Sequence, residues 1–106
     1  MSGLDNTSFT VRSVSATTTL TNNDYVLTVD APAANVLVNL PAVASVQPGR
    51  VFIVKRDATA TQTVTLDGAG SETINGATTR AVGAAGTAGA AQIVSDGTAW
   101  HVIASY

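Results

Sequence analysis

The chain has 106 residues, a formal net charge of −2 at pH 7 and no cysteine, and its length suits a single domain. Its five basic residues are scattered, which argues against a nucleic-acid surface, and no apolar run reaches the ~18 residues of a membrane span. Without cysteine the chain can form neither disulfides nor thiolate metal sites, so its stability must come from its core or from association between copies.

Charged residues are unusually few. They make up 11% of the chain, whereas a typical soluble domain carries about 25%. The mean hydropathy of +0.27 is also high for a small domain. We therefore expect a neutral face of Thr, Ser and Asn in contact with water, together with a second face that is covered by other copies or by a larger assembly.

The first two-thirds of the chain alternates between short β-forming runs and turn residues. Residues 1–8 are polar and unpatterned, which predicts an N-terminal arm ahead of one β domain over 9–106. Prolines or Asn, Asp and Gly clusters close most of the runs that follow. Period-two alternation and β-branched residues predict strands at 8–14, 17–21, 25–29, 35–40, 51–54 and 63–66.

The run Val51–Val54 contains no polar residue, which is typical of a strand covered on both faces. Residues 55–57 (Lys-Arg-Asp) predict an abrupt return to solvent after it. Alternation in the other strands indicates which side chains point inward. We expect the core to include Tyr25, Leu27, Val29, Val36, Val38, Leu40, Val51, Ile53, Leu66, Ile93, Trp100 and Val102.

The end of the chain predicts a β-hairpin. Asp96-Gly97 lies between two β-forming runs, and this dipeptide tolerates the positive φ angles of a two-residue type I′ turn. Trp100 would then lie on the return strand. No segment shows a sustained helical period, and turn signals recur every 8–12 residues, so we predict an all-β sandwich or barrel with little or no helix.

The segment between 70 and 89 is less clearly patterned. Residues 70–76 predict a short strand or a turn that ends at an Asn-Gly pair, and 78–82 predict one more strand. The tract Gly83–Gly89 has no side chain larger than threonine. Two interpretations stay open for this tract, a mobile loop or a place where backbones approach closely around a symmetry axis.

Residues suited to catalysis or metal binding are sparse. His101 is the only histidine, and Ser95 and Asp96 lie just across the hairpin, where hairpin geometry alone brings side chains together. The segment 67–72 is rich in oxygen ligands but lacks the alternating Asp and Asn residues of a calcium loop. Trp100 is expected to anchor the core or an interface, with a sugar-stacking surface role as the alternative. We predict no enzymatic activity, no catalytic residues, no metal site and no cofactor.

Five segments in order along the chain resemble the small β-rich trimeric modules of bacteriophage virions, which occur in head-decoration proteins, head fibres and tail fibres. They are Asn23–Val29, Val36–Ala42, Gly49–Arg56, Gly70–Gly76 and Ile93–Trp100. The resemblance covers residues 23–100 and implies a single-domain antiparallel β-sandwich or β-prism-like fold that assembles as a homotrimer. Core or interface positions would then include Tyr25, Leu27, Val38, Leu40, Val51, Ile53 and Trp100.

Two roles are consistent with this resemblance. The first is a capsid decoration protein on the outside of the virion, whose partners are copies of itself and the major capsid protein. The second is a tail-fibre or tail-tip domain that recognises a glycan on the host surface. A short chain that starts at Met1 and has no repetitive shaft favours decoration. Capsid contact is then expected in the leading segment, at Leu4, Phe9 and Arg12, because polar leading segments can become ordered on a partner.

Overall fold

The computed structural model describes residues 9–106, and within that range nearly all regular structure is β-strand. Short β-branched and alternating runs form nine strands, and one three-residue 3-10 turn follows the fourth (Val43–Ser45). The strands are β1 (Val11–Val14), β2 (Thr18–Thr19), β3 (Val26–Val29), β4 (Val36–Asn39), β5 (Val51–Arg56), β6 (Val64–Asp67), β7 (Thr79–Ala81), β8 (Gly89–Ser95) and β9 (Trp100–Ser105).

The strands form two sheets that enclose one core. The five-stranded sheet has the order β1-β3-β5-β8-β9, and the four-stranded sheet has the order β2-β4-β6-β7. The prediction of an all-β fold of short strands with little or no helix is therefore confirmed for the described residues. One inward-facing cluster of buried side chains from both sheets forms the core, as a two-layer β architecture requires.

The strand directions differ from the antiparallel arrangement that the resemblance implied. β1, β3 and β5 are parallel neighbours, and so are β2, β4 and β6. Between β1 and β6 the chain passes to the other sheet after every strand, so that each return to a sheet runs in the same direction as before. Turn residues at the strand ends therefore close connections between the sheets, and most of them do not close hairpins.

Antiparallel pairing begins only in the last third of the chain. β7 pairs with β6 in the smaller sheet, while β8 pairs with β5 and β9 pairs with β8 in the larger one. Three parallel circuits are thus followed by three antiparallel strands, which extend both sheets. The hairpin between β8 and β9 is the one that the Asp-Gly pair predicted.

The type I′ turn that the sequence predicted at Asp96-Gly97 is found instead at Asn75-Gly76. Four residues connect β8 to β9, with Asp96 N–H donating to Ala99 O over 3.1 Å, so the predicted two-residue turn is wrong. The two consecutive positive φ angles of a type I′ turn occur instead at Asn75 (51°) and Gly76 (87°). Ile74 and Ala77 flank that pair and exchange two main-chain hydrogen bonds of 2.6 and 3.1 Å.

Alternation correctly placed most of the predicted core. Eight of the twelve predicted side chains are buried, with the Trp100 ring 5.7 Å from that of Phe52. Val102 packs against the core while partly buried. The eight buried residues are Leu27, Val29, Val36, Val38, Leu40, Leu66, Ile93 and Trp100.

The prediction of which β5 side chains point toward the core was wrong. Phe52, Val54 and Arg56 are buried, whereas Val51 and Ile53 are half-buried on the opposite face. A run of four apolar residues carries no alternation, so the sequence did not show which pair points inward. Tyr25, which was also predicted in the core, lies outside it, where its ring stacks on the exposed Phe9 ring at 4.3 Å.

The tract Gly83–Gly89 is a place of close backbone approach within one chain. A Cβ at Gly89 would lie 2.8 Å from the Cα of Gly83 and 3.0 Å from the carbonyl oxygen of Tyr106. Only glycine fits between these two main-chain segments. This contact matches the close backbone approach of the second interpretation, and it lies between segments of the same chain.

Across residues 9–106 the structure includes no helix that is both long enough and apolar enough to span a membrane.

Candidate assembly surface

The five-stranded sheet has one face that the core does not cover. Since side chains alternate across a strand, the residues between the buried positions point away from the core, and we call this side the outer face. Strand register places its side chains in rows across the sheet. The rows are Val51, Val94 and His101, then Val11, Val26, Ile53, Gln92 and Ala104, and then Ser13, Thr28, Lys55 and Ala90.

The outer face is largely apolar and carries little charge. Val51, Ile53 and Val94 are half-buried there, although no second layer packs against them in the described chain. Lys55 lies 3.9 Å from Asp57, and the Ser13 and Thr28 hydroxyls hydrogen-bond to each other across the strands at 2.6 Å. Val51 and Ile53, which the sequence placed at core or interface positions, therefore lie outside the core on this outer face.

Of the predicted capsid-contact residues, Leu4 lies outside the described residues, while Phe9 and Arg12 take different positions. Phe9 is exposed ahead of β1 and stacks on Tyr25. Arg12 points from β1 toward the inside, where its Nε and Nη2 donate to the two carboxylate oxygens of Asp24 over 2.9 Å each. The Arg12 guanidinium is thus part of the fold, whereas the Phe9 ring is available to a partner.

Asp24 is a buried carboxylate, with 3% of its side chain exposed. Burial by itself would raise the pKa of Asp24, but hydrogen bonds from Arg12 and from the Thr21 N–H and hydroxyl outweigh it and lower that pKa. Arg12 also donates to Thr18 Oγ1 and to Thr19 O, on β2. Arg12 therefore ties the first strands of the two sheets together, and its ion pair with Asp24 holds the guanidinium in place.

His101 and Asp96 form a hydrogen-bonded pair beside the β8–β9 turn. The His101 Nε2 to Asp96 Oδ2 distance is 2.6 Å, and both side chains are about half exposed. Hydrogen bonds from His101 and from the Ala99 and Thr98 N–H groups lower the pKa of Asp96 to about 2. The Ser95 hydroxyl is buried and accepts a hydrogen bond from Gly97 N–H. Each of these groups satisfies the turn, and Ser95 does not reach His101 in the manner of a nucleophile and its base.

Trp100 and Glu72 both make contacts within the fold. The Trp100 ring is fully buried, and its indole N–H has no hydrogen-bond partner among the described residues. This burial excludes the alternative role as a surface sugar platform. The carboxylate of Glu72 accepts a hydrogen bond from Val43 N–H at 3.0 Å. No group of three or more His, Asp or Glu side chains in residues 9–106 could hold a metal ion.

An open cleft lies at one end of the five-stranded sheet. Its volume is about 510 Å³, and Phe9, Tyr25, Asn22, Asn23 and Arg50 contribute to its walls. The Arg50 guanidinium stacks on the Phe52 ring at 4.2 Å and donates to main-chain carbonyls of Asn22, Asp24 and Val51. The cleft therefore combines an aromatic pair with amide groups around a cation that is already hydrogen-bonded.

The sequence did not single out three apolar residues at the sheet edges. Val11, Ile103 and Tyr106 are exposed on the two outermost strands or directly after them. Their chemistry was visible in the sequence, but their exposure depends on which strands are outermost. Ile103 is the additional residue of a β-bulge in β9, because Gln92 and Ile93 pair with Ala104 and Val102.

No protein-family model matches the chain, and no curated protein sequence matches it significantly.

Proposed function

We propose that the protein is a non-enzymatic structural component of a virion. In this proposal it is a homotrimeric capsid decoration protein of the cement or head-fibre type, which binds the outer surface of the capsid and stabilises it. The observation that carries the proposal is the combination of a closed two-sheet core with an uncovered, nearly uncharged outer face. The resemblance to trimeric phage modules supports the virion setting.

Stabilisation would be mechanical and thermodynamic. A subunit that binds the assembled shell and has no affinity for its dissociated parts stabilises the assembled state through linkage. Two features hold the fold together: Arg12 on one sheet bonds to Thr18 and Thr19 on the other, and the Gly83–Gly89 tract packs closely on the main chain of Tyr106. The groups around His101 satisfy a turn, which is consistent with a structural role.

The capsid contact is assigned to residues 1–8, which include Leu4. Deletion of residues 1–8 is expected to abolish binding to capsids that lack the protein, while the β domain keeps its far-UV circular dichroism spectrum. Co-sedimentation of purified protein with such capsids measures this. The matched control is Leu37→Ala, an exposed residue of β4 on the other sheet, which is expected to bind as the wild type does. Undiminished binding by the deletion variant would contradict the assignment.

The open cleft is the observation that favours the second candidate, a receptor-binding tail-fibre domain. Aromatic rings and side-chain amides such as Tyr25 and Asn23 suit the apolar faces and hydroxyl groups of a sugar. A glycan array and a host-cell adsorption assay distinguish the two roles. Saturable binding to one glycan class, lost in Tyr25→Ala, would favour the tail-fibre role over decoration.

A further inference from the structure

The exposed large hydrophobic residues are concentrated at the two edges of one sheet. Among residues 9–106 there are five such residues, and four of them belong to the edges of the five-stranded sheet. Phe9 (61% exposed) and Val11 (62%) lie at the β1 edge, and Ile103 (54%) and Tyr106 (69%) lie at the β9 edge. The fifth, Leu37, lies on β4 of the other sheet.

Both edges lack the outward charges that usually protect an edge against pairing with another chain. Natural edge strands are commonly protected by outward charges, by proline or by bulges that turn the edge away. The single charged residue of β1, Arg12, points inward to Asp24, and β9 contains no Lys, Arg, Asp or Glu. The β9 bulge exposes an isoleucine, which is an apolar group where a protective charge would be expected.

Only the second half of β9 is open. The main chain of Trp100 pairs with Thr73 and Asn75, and Val102 N–H donates to Asn75 Oδ1 at 2.9 Å, so the first half of the strand is covered. In the described part of the chain, the edge beyond Val102 has no further strand beside it. The two exposed residues Ile103 and Tyr106 lie in this open part.

The two edges also have complementary shapes. On the outer face beside the β9 edge, a mainly apolar groove of about 200 Å³ is lined by Ile53, Ala90, Gln92, Ala104, Ser105 and Tyr106. At the β1 edge the stacked rings of Phe9 and Tyr25 form an apolar projection. A groove of this size accommodates one aromatic side chain.

We propose that the β1 edge of one copy packs against the β9 edge of the next, with Phe9 and Val11 on one side and Ile103 and Tyr106 on the other. The inference rests on the homotrimer of the proposed function and assigns the surface that forms it. Because the two edges differ, the contact is head-to-tail, and such contacts close into a ring when the rotation allows. A two-fold dimer would instead pair like edges.

A second copy suits these edges as the occupant, because every copy carries both the groove and the aromatic projection. Large side chains with these exposed fractions leave on the order of 200 Å² accessible at each edge. Every copy in a ring uses both edges. A stable interface buries ~800 Å² per partner, so each edge contact must also cover the neighbouring main chain and outer-face residues.

Single charges placed at either edge test the contact. Light scattering is expected to give about 32 kDa for the wild type, three times the 10.7 kDa of one chain. Val11→Lys and Ile103→Asp are each expected to give a monomer, because each places one unpaired charge in an apolar contact. Leu37→Lys is the matched control and stays trimeric. Circular dichroism and thermal unfolding of each variant verify that it is folded.

The double variant Val11→Lys with Ile103→Asp tests the head-to-tail direction. In the proposed ring opposite charges meet at every contact, so the double variant is expected to recover the trimer in low salt and to lose it in high salt. Pairing of like edges would instead bring like charges together, and a double variant as monomeric as the single ones would overturn the head-to-tail contact.

The outcomes separate the two proposals. A monomeric wild type would overturn both the homotrimer and the edge contact. A trimeric wild type whose single variants stay trimeric would overturn the edge contact alone and leave the homotrimer standing.

Discussion

Two arginines of the five-stranded sheet, Arg12 and Arg56, point toward the core, and their guanidinium groups find different hydrogen-bond partners. Arg12 lies on the edge strand β1, is about one-third exposed and forms an ion pair with Asp24. Arg56 lies on the central strand β5 and is 1% exposed. Its guanidinium donates to main-chain carbonyls of Thr87 at 3.0 Å, of Ala60 at 2.7 Å and of Gln62. The structure contains no ion pair of Arg56 within residues 9–106.

The difference shows what each arginine holds in place. Arg12 connects β1 to Thr18 on β2, the first strands of the two sheets. Its ion pair with Asp24 depends on the charge of that carboxylate. Arg56 connects two loops, 57–63 and 82–88, through neutral acceptors that do not titrate. The contribution of the Arg56 hydrogen bonds to stability is therefore expected to stay the same at acid pH. The contribution of the Arg12–Asp24 pair depends on pH, because it needs an ionised carboxylate. Three predictions test this contrast.

The largest effect is expected for Arg56→Met, which keeps an unbranched apolar side chain but removes every donor. The loops would then retain buried carbonyl groups without partners, at a cost of about 3 kcal/mol in the free energy of unfolding. Urea unfolding at one protein concentration measures the change. The control is Arg80→Met on β7, a more exposed arginine for which a change within about 0.5 kcal/mol is expected. Equal costs for the two variants would mean that the loops hold without the Arg56 guanidinium.

A smaller loss is expected for Asp24→Asn. The carboxylate accepts hydrogen bonds from Arg12 and Thr21, and because Arg12 is partly exposed we expect a loss of about 1–2 kcal/mol at pH 7. The control is Asp57→Asn, whose more exposed carboxylate lies 3.9 Å from Lys55 and for which almost no change is expected.

The pH dependence of the Asp24 contribution has a defined sign. The pKa of Asp24 is lower in the folded chain than in the unfolded chain, where it is about 3.9. Its contribution is therefore complete above about pH 4–5 and is lost as the pH falls through the folded pKa. The stability difference between wild type and Asp24→Asn is expected to shrink in that acid range, while the difference for Arg56→Met stays constant. A constant difference for both variants would contradict the contrast.

The smallest effect concerns the exposed pair His101 and Asp96, where His101→Ala changes a local pKa with little effect on the fold. Removal of the first cause of the shift raises the pKa of Asp96 from about 2 toward its ordinary value, although the Thr98 and Ala99 N–H groups keep it below that value. Carbon-13 NMR titration of the carboxyl group measures this. Ser105→Ala, at the far end of β9, is the control and leaves the pKa of Asp96 at about 2.

Much of the fold was predictable because the signals are local. Alternation in residues 26–29 and 36–39 identified the buried side chains Leu27, Val29, Val36 and Val38, and the Asp-Gly pair identified the final hairpin. The phase of β5 was not predictable, since Val51–Val54 carries no alternation and Arg56 reads as a solvent residue. The structure buries Arg56 because loops distant in sequence supply its acceptors.

The sequence predicted that a covered surface exists but did not predict where it lies. The low charge content indicated that some surface would be covered, but it did not show which one. Val51 and Ile53 were expected at the core or an interface, and the structure places them on the outer face. Ile103 and Tyr106 become notable only once β9 is known to be an outermost strand.

By itself the sequence determined that the chain forms short strands, where most of them end, and which side chains of the alternating strands point inward. These properties follow from residue-level preferences and from the two-residue period of a strand. Only the tertiary structure decided that the strands of the first three circuits are parallel, that Arg56 is buried and that β1 and β9 are the edges. Those features depend on which distant segments lie side by side, and alternation along one strand carries no information about its neighbours.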